Sequence, residues 1–121
     1  MPHAVPKLNA FPVFVRVEGE AVAIVGGGDE ALAKARLIGQ SSAVLRIIAE
    51  NAEPELLAFI GQSGASHVAA AYDASQLEGA VMVFAASGDD ALDRRVAADA
   101  RELGIPVNAV DRPELCDFFT P

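Results

Sequence analysis

The chain has 121 residues, enough for one domain around one core and too few for two. Apolar residues make up 52% and charged residues 21%, which excludes a disordered chain, a collagen-like repeat and a pure coiled coil. Nine Lys and Arg against 17 Asp and Glu leave a net charge of -8, the wrong sign for tracking a phosphate backbone, so nucleic acid is not an expected partner.

Met1 to Ala10 (MPHAVPKLNA) lacks the apolar core of a secretory signal. Phe11 to Val17 (FPVFVRV) is densely apolar and partly alternating, which suits a short strand or an extended arm before the turn at Glu18-Gly19-Glu20. Ala21 to Val25 (AVAIV) is a wholly apolar run ending at Gly26, the pattern of a strand buried on both faces. Asp29 to Ile38 (DEALAKARLI) gathers Ala31, Leu32, Ala35 and Ile38 on one side of a helix that opens with two acids, where the helix dipole favours them. Val44 to Ile48 (VLRII) predicts a second strand, and Glu53-Pro54-Glu55 opens a helix running to about Ile60.

His67 to Ala71 is a weaker strand candidate and Ser75 to Leu77 a helical turn, while Val81 to Ala86 (VMVFAA) has the marks of another buried strand. Asp89 to Leu103 places Leu92, Val96, Ala100 and Leu103 on one helical stripe, stopped by Gly104. Val107 to Val110 is the last parallel strand, and Leu115 to Phe119 an edge strand or docked tail. Alternating strands and helices imply an α/β doubly wound parallel sheet with right-handed crossovers. In such sheets ligands sit beyond the carboxyl ends of the strands, here Gly26 to Glu30, Glu50 to Asn51, Ser87 to Asp90 and Asn108 to Arg112.

Gly26-Gly27-Gly28-Asp29-Glu30-Ala31 fits G-x-G-x-x-G/A between a predicted strand and a predicted helix, the context that a Rossmann-like dinucleotide fingerprint requires. Gly26 permits the tight turn, Gly28 lets the backbone approach a pyrophosphate at the helix amino terminus, and Ala31 allows close packing. Glu50 follows about 20 residues later, where a carboxylate accepts from the adenosine ribose and repels a 2′-phosphate, favouring NAD over NADP, with Asn51 as its neighbour. Ser87 and Gly88 are small enough to approach the nicotinamide half, beside an N-cap signal at Asp89 and Asp90. Asp111 brings a carboxylate to the same edge, where it could accept a proton or touch a metal ion. Spacing alone favours a turn residue before Arg112-Pro113, or one held by Arg112 as an ion pair.

Cys116, the single cysteine, reads as a small buried hydrophobe and offers neither an intrachain disulfide nor a metal cage. His3 and His67 show no ligand spacing and are read as structural or surface residues, so no metal site is expected. Lys34 with Arg36, Arg94 with Arg95, and Arg101 read as solvated helix faces, and are the main cations available to an anionic substrate. With no apolar run near the roughly 20 residues that cross a bilayer, a soluble cytoplasmic protein without a membrane partner is expected.

These motifs together resemble the amino-terminal domain of the siroheme synthases, the precorrin-2 dehydrogenase and sirohydrochlorin ferrochelatase family. The likeness runs from Phe11-Pro12-Val13-Phe14-Val15 through AIVGGGDEALAKAR, Leu77-Glu78-Gly79-Ala80 and Ala85-Ala86-Ser87 to Asp93-Arg94-Arg95-Val96, similar to N-x-R-V. It ends with Val107-Asn108-Ala109-Val110-Asp111, similar to V-N-V-V-D, while Glu30 and Ala33 depart from a usual valine and arginine.

The resemblance implies a single NAD(P)-binding domain over residues 1–121 that oxidises the tetrapyrrole precorrin-2 to sirohydrochlorin with NAD, and a site that also inserts Fe2+. It implies that Asp111 is the essential catalytic aspartate, that Asp29, Glu30, Glu50 and Asn51 contact NAD, and that Gly26, Gly27, Gly28, Ser87 and Asn108 line the cofactor. It further implies a dimerisation region and a small helical domain beyond the segment matching Cys116 to Pro121, and with them a homodimer. A non-catalytic nucleotide-sensing module shares the fingerprint but does not need Asp111.

Overall fold

A computed structural model describes the protein over residues 6–121. Five strands form one parallel sheet in the order β3-β2-β1-β4-β5: β1 Ala21–Val25, β2 Val44–Ile48, β3 Ser66–Val68, β4 Ala80–Ala85 and β5 Val107–Ala109. Helices α1 (Asp29–Ile38), α2 (Pro54–Ser63) and α3 (Asp90–Glu102) cover it. β1 lies at the centre and β4 beside it, so the chain reverses its direction of winding between these two strands.

The period of two along each strand divides the core. Val22 and Ile24 of β1, with Ile47 and Phe84, pack under α1 and α2 through Ala31, Leu32, Ala35 and Leu56. Ala23 and Val25, with Val83 and Val107, pack on the other face under α3 through Val96, Ala97 and Ala100. Burial on both faces is why β1 and β4 have almost no polar residues. Pro54 sits in the first turn of α2, and Gly64 in the left-handed conformation ends it.

The structure corrects several expectations. Of the two readings of Phe11 to Val17, strand or arm, the strand does not form: Phe11, Val13, Phe14 and Val15 are exposed, and only Val17 touches the core. A turn at Glu18-Gly19, closed by the Glu20 N–H donating to Val17 O at 2.9 Å, separates the segment from β1, whose two edges are already paired with β2 and β4. The strand expected at His67 to Ala71 is Ser66–Val68, and Ala69 to Ala71 leave the sheet.

Leu103 is 45% exposed although it continues the apolar stripe of α3. The chain turns at Gly104, whose φ is 74°, and Ile105 takes the core position. Leu115 to Phe119 docks as a tail behind a 3-10 turn at Pro113–Leu115. The Asp117 amide donates to Val107 O at 2.8 Å, and Phe118 meets Phe84 edge to face with centroids 5.5 Å apart. His67 is half-buried, with a ring nitrogen 3.0 Å from Ala49 O; His3 lies outside the described residues.

Candidate functional site

The carboxyl ends of β1, β2 and β4 open onto a crevice of about 270 Å³ lined by Gly26, Gly27, Glu50, Asn51 and Ser87 together with Tyr72 and Arg95. Sequence reading named the first five; the fold brings them together from three separate loops. Backbone hydrogen bonds extend the sheet into these loops: Gly26 N–H donates to Ile48 O at 3.0 Å and Ala86 N–H to Val25 O at 2.8 Å.

The three glycines have different reasons to be glycine. Gly26 has φ 152°, and a Cβ there would lie 2.0 Å from Ala86 O. A Cβ on Gly27 would lie 2.1 Å from Asn51 O, and the Gly27 carbonyl already accepts from Glu53 N–H at 2.8 Å. Both are therefore demanded by neighbouring backbone. Gly28 is not: its φ is -114°, and a Cβ would meet only the flexible Glu53 carboxylate at 3.5 Å.

Gly28 is also the N-cap of α1 and offers no side-chain cap, so the amides of the first turn keep free donors beside the crevice. The contrast with α3 is direct, since Asp89 accepts there from Ala91 N–H at 3.0 Å and Leu92 N–H at 3.3 Å. Asp29 is exposed on the first turn of α1, and the Oε2 atom of Glu30 is buried with no hydrogen-bond donor. Free amide donors, a glycine with room before it and an orphaned acceptor suit a dinucleotide, whose pyrophosphate accepts and whose ribose hydroxyls donate.

Across β4, at the end of β5, lie Asn108 and Asp111. Asn108 does not line the crevice: it is buried, and its amide donates to Phe118 O at 2.9 Å, holding the tail. Asp111 is exposed and has φ 61°, alone among the non-glycine described residues in having a positive φ. The ion pair weighed between Arg112 and Asp111 does not form. Arg112 Nε binds Asp90 at 2.7 Å and Nη1 binds Asp93 at 2.8 Å instead, because the guanidinium folds back toward α3. Arg112 and then Arg94 hold the Asp90 carboxyl below the ordinary carboxylate range.

The cations do not gather in one patch. Arg94 and Arg112 meet at Asp90, Arg95 stacks on the Tyr72 ring at 4.9 Å, and Lys34 donates to the Thr120 hydroxyl at 2.9 Å. Tyr72 donates to Asp99 at 2.9 Å; burial first, and then this carboxylate, raise its phenol above the ordinary value. Sequence reading passed over Tyr72 and gave Asp93 no role of its own within the motif Asp93-Arg94-Arg95-Val96. The first stands out as the sole tyrosine after a run of alanines, the second as an acid inside the apolar stripe of α3.

Residues 13–121 match the profile of a family described as "Putative NAD(P)-binding". The chain belongs to this family. Within it, the chain is 40% identical over 114 residues to a siroheme synthase of Azotobacter vinelandii, covering 94% of this chain and 25% of that protein. A siroheme synthase of Pseudomonas putida is 39% identical with the same coverage, and one of Psychrobacter arcticus is 38% identical over 94% of this chain and 21% of its own length. The chain thus spans about a quarter of these relatives. Among solved structures, the precorrin-2 dehydrogenase SirC has the same fold, with a TM-score of 0.66 at 20% identity over 72% of this chain and 44% of that one. The family-level resemblance read from the motifs and the doubly wound, Rossmann-like architecture both stand. No helix among the described residues is long and apolar enough to cross a membrane.

Proposed function

We propose that this chain is the cofactor-binding domain of an NAD-dependent precorrin-2 dehydrogenase acting in siroheme synthesis. The observation that carries the reading is the uncapped start of α1 behind Gly28, at the point where the sheet reverses its winding. The amides of Asp29 and Glu30 would hold the pyrophosphate, Glu50 with Asn51 the adenosine ribose, and Ser87 the edge of the nicotinamide side. Glu50 is exposed at the end of β2, and its charge disfavours a 2′-phosphate, which selects NAD over NADP.

NAD, when bound, supplies a hydride acceptor. Asp111 takes up the proton released as the substrate is oxidised; it is an exposed carboxylate free of any ion pair among the described residues. The guanidinium groups of Arg94 and Arg112 are held by Asp90, Asp93 and Glu114, so a carboxylate-rich tetrapyrrole would have to draw them from those partners, against a net charge of -8. Fe2+ enters the same reading as a second substrate. No group of three His, Cys, Asp or Glu converges among the described residues, so the tetrapyrrole would supply most of the iron's ligands and Asp111 would assist delivery. The exposed Phe11, Phe14 and Phe119 support a homodimer that covers them.

The test is calorimetric titration with NAD+, followed by an anaerobic assay of NADH formation with precorrin-2. Binding with turnover supports the reading. Absence of NAD+ binding overturns it.

A further inference from the structure

Asp93 is fully buried in an otherwise apolar stripe of α3, and its two carboxylate oxygens reach two different loops, those after β4 and β5. Oδ1 accepts from the Ser87 hydroxyl at 2.6 Å and from the Ser87 N–H at 3.0 Å, on the loop after β4. Oδ2 accepts from Arg112 Nη1 at 2.8 Å, on the loop after β5. The same Nη1 donates to the Val110 carbonyl at 3.1 Å, and Arg112 Nε is held by Asp90 at 2.7 Å. Val110 and Arg112 flank Asp111, so the residue with the unusual positive φ is gripped on both sides by one guanidinium.

We propose that Asp93 is a positioning residue that sets Asp111 and Ser87 in register across the neighbouring loops after β4 and β5, so that proton uptake and the nicotinamide edge of the cofactor stay aligned. The assignment rests on the proposed role of Asp111. Stability alone gives little reason for the arrangement, because burying an ion pair seldom gains more than an apolar side chain of the same volume would. What an apolar side chain cannot do is bind two loops at once in fixed orientation. A carboxylate is needed for both contacts: an amide in its place satisfies Ser87 but offers no charge to Arg112.

Two substitutions test this, read by the backbone amide resonances of the whole chain. Asp93→Asn is expected to move the amides of both Ser87 and Asp111. Arg112→Gln, which touches neither Ser87 atom, is expected to move the Ser87 amide through Asp93. An unchanged Ser87 amide in the Arg112 variant, or an unchanged Asp111 amide in the Asp93 variant, overturns the proposal. If Asp93→Asn does not fold, the Arg112 variant alone decides.

In turnover, Asp93→Asn is expected to lower kcat by about tenfold to a hundredfold while KM for NAD+ stays within about twofold. Arg112→Lys, which keeps the charge facing Asp93, should retain more kcat than Arg112→Gln. Turnover of Asp93→Asn equal to that of the wild type defeats the proposal. A wild-type chain that binds NAD+ without turnover counts against the dehydrogenase reading only, and the resonances still decide the role of Asp93.

Discussion

Replacing Gly27 and Gly28 in turn by alanine separates packing from ligand binding within one loop. A Cβ at Gly27 would stand 2.1 Å from Asn51 O, well inside the 3.0 Å that real Cβ contacts keep. Because the obstacle is backbone, and Gly27 O is tied to Glu53 N–H, the loops after β1 and β2 must part. Overpacking of this kind costs about 3 kcal/mol. At roughly 4 °C per kcal/mol for a chain of this size, the melting temperature should fall by about 12 °C.

Gly28→Ala meets only a flexible carboxylate at 3.5 Å and has an extended backbone. The gain of about 0.4–1 kcal/mol from a stiffer unfolded chain is offset by the poorer N-cap that alanine makes, so stability should stay within about 1 kcal/mol. Its effect should fall on the cofactor. A Cβ that holds the pyrophosphate away from the α1 amides forfeits about 1.5–3 kcal/mol of charge-assisted hydrogen bonding, or about tenfold to a hundredfold in NAD+ affinity. Thermal unfolding and calorimetry on both variants provide the check. Wild-type affinity in Gly28→Ala refutes the pyrophosphate assignment, and equal melting temperatures refute the steric one.

Asp111→Asn tolerates the same positive φ and removes the charge, so it should abolish precorrin-2 turnover and leave NAD+ affinity unchanged; turnover like the wild type sinks the proton role. Glu50→Gln should weaken NAD+ and narrow its margin over NADP+, measured by titrating both. Tyr72 is the only tyrosine in a chain without tryptophan, so near-ultraviolet phenolate absorbance follows it alone, and its midpoint should lie above the ordinary value of about 10. Its raised value means that this contribution to stability is complete below about pH 10 and is lost as pH rises further; Asp99→Asn should bring the midpoint down. Asp90 behaves oppositely: its lowered carboxyl stabilises the fold above the ordinary value of 3.8 and loses that effect as pH falls through the lowered one. Asp90→Asn should therefore flatten the acid side of the melting-temperature profile, and an unchanged slope would show that the pairing with Arg112 and Arg94 is not felt.

β1, α1 and β2 lie within the residues that sequence reading assigned to them, Ala21–Val25, Asp29–Ile38 and Val44–Ile48. Their signals are local: β-branched apolar runs, glycines at the boundaries, and helical spacing within a few residues. The fingerprint was legible for the same reason, because Gly26 to Ala31 needs only its own strand and helix to be recognised. The placement of Glu50 and Ser87 beside it followed from the rule that parallel strands present their carboxyl ends together.

Long-range approach decided the rest. Gly26 and Gly27 are glycine because the backbones of Ala86 and Asn51 come within about 2 Å of where a Cβ would be, which no window around residue 26 contains. Arg112 turns from its neighbour Asp111 to Asp90 and Asp93, about 20 residues away, because only the packing of α3 on β5 brings a buried carboxylate within reach. Phe11 to Val15 has a strand's composition and no strand's partner, since pairing depends on a free sheet edge and not on the segment. Propensity, periodicity and turn chemistry act between residues close in the chain and can be read from it. Which side chain meets which carboxylate depends on contacts that exist only once the sheet has closed its order and α3 has packed against it.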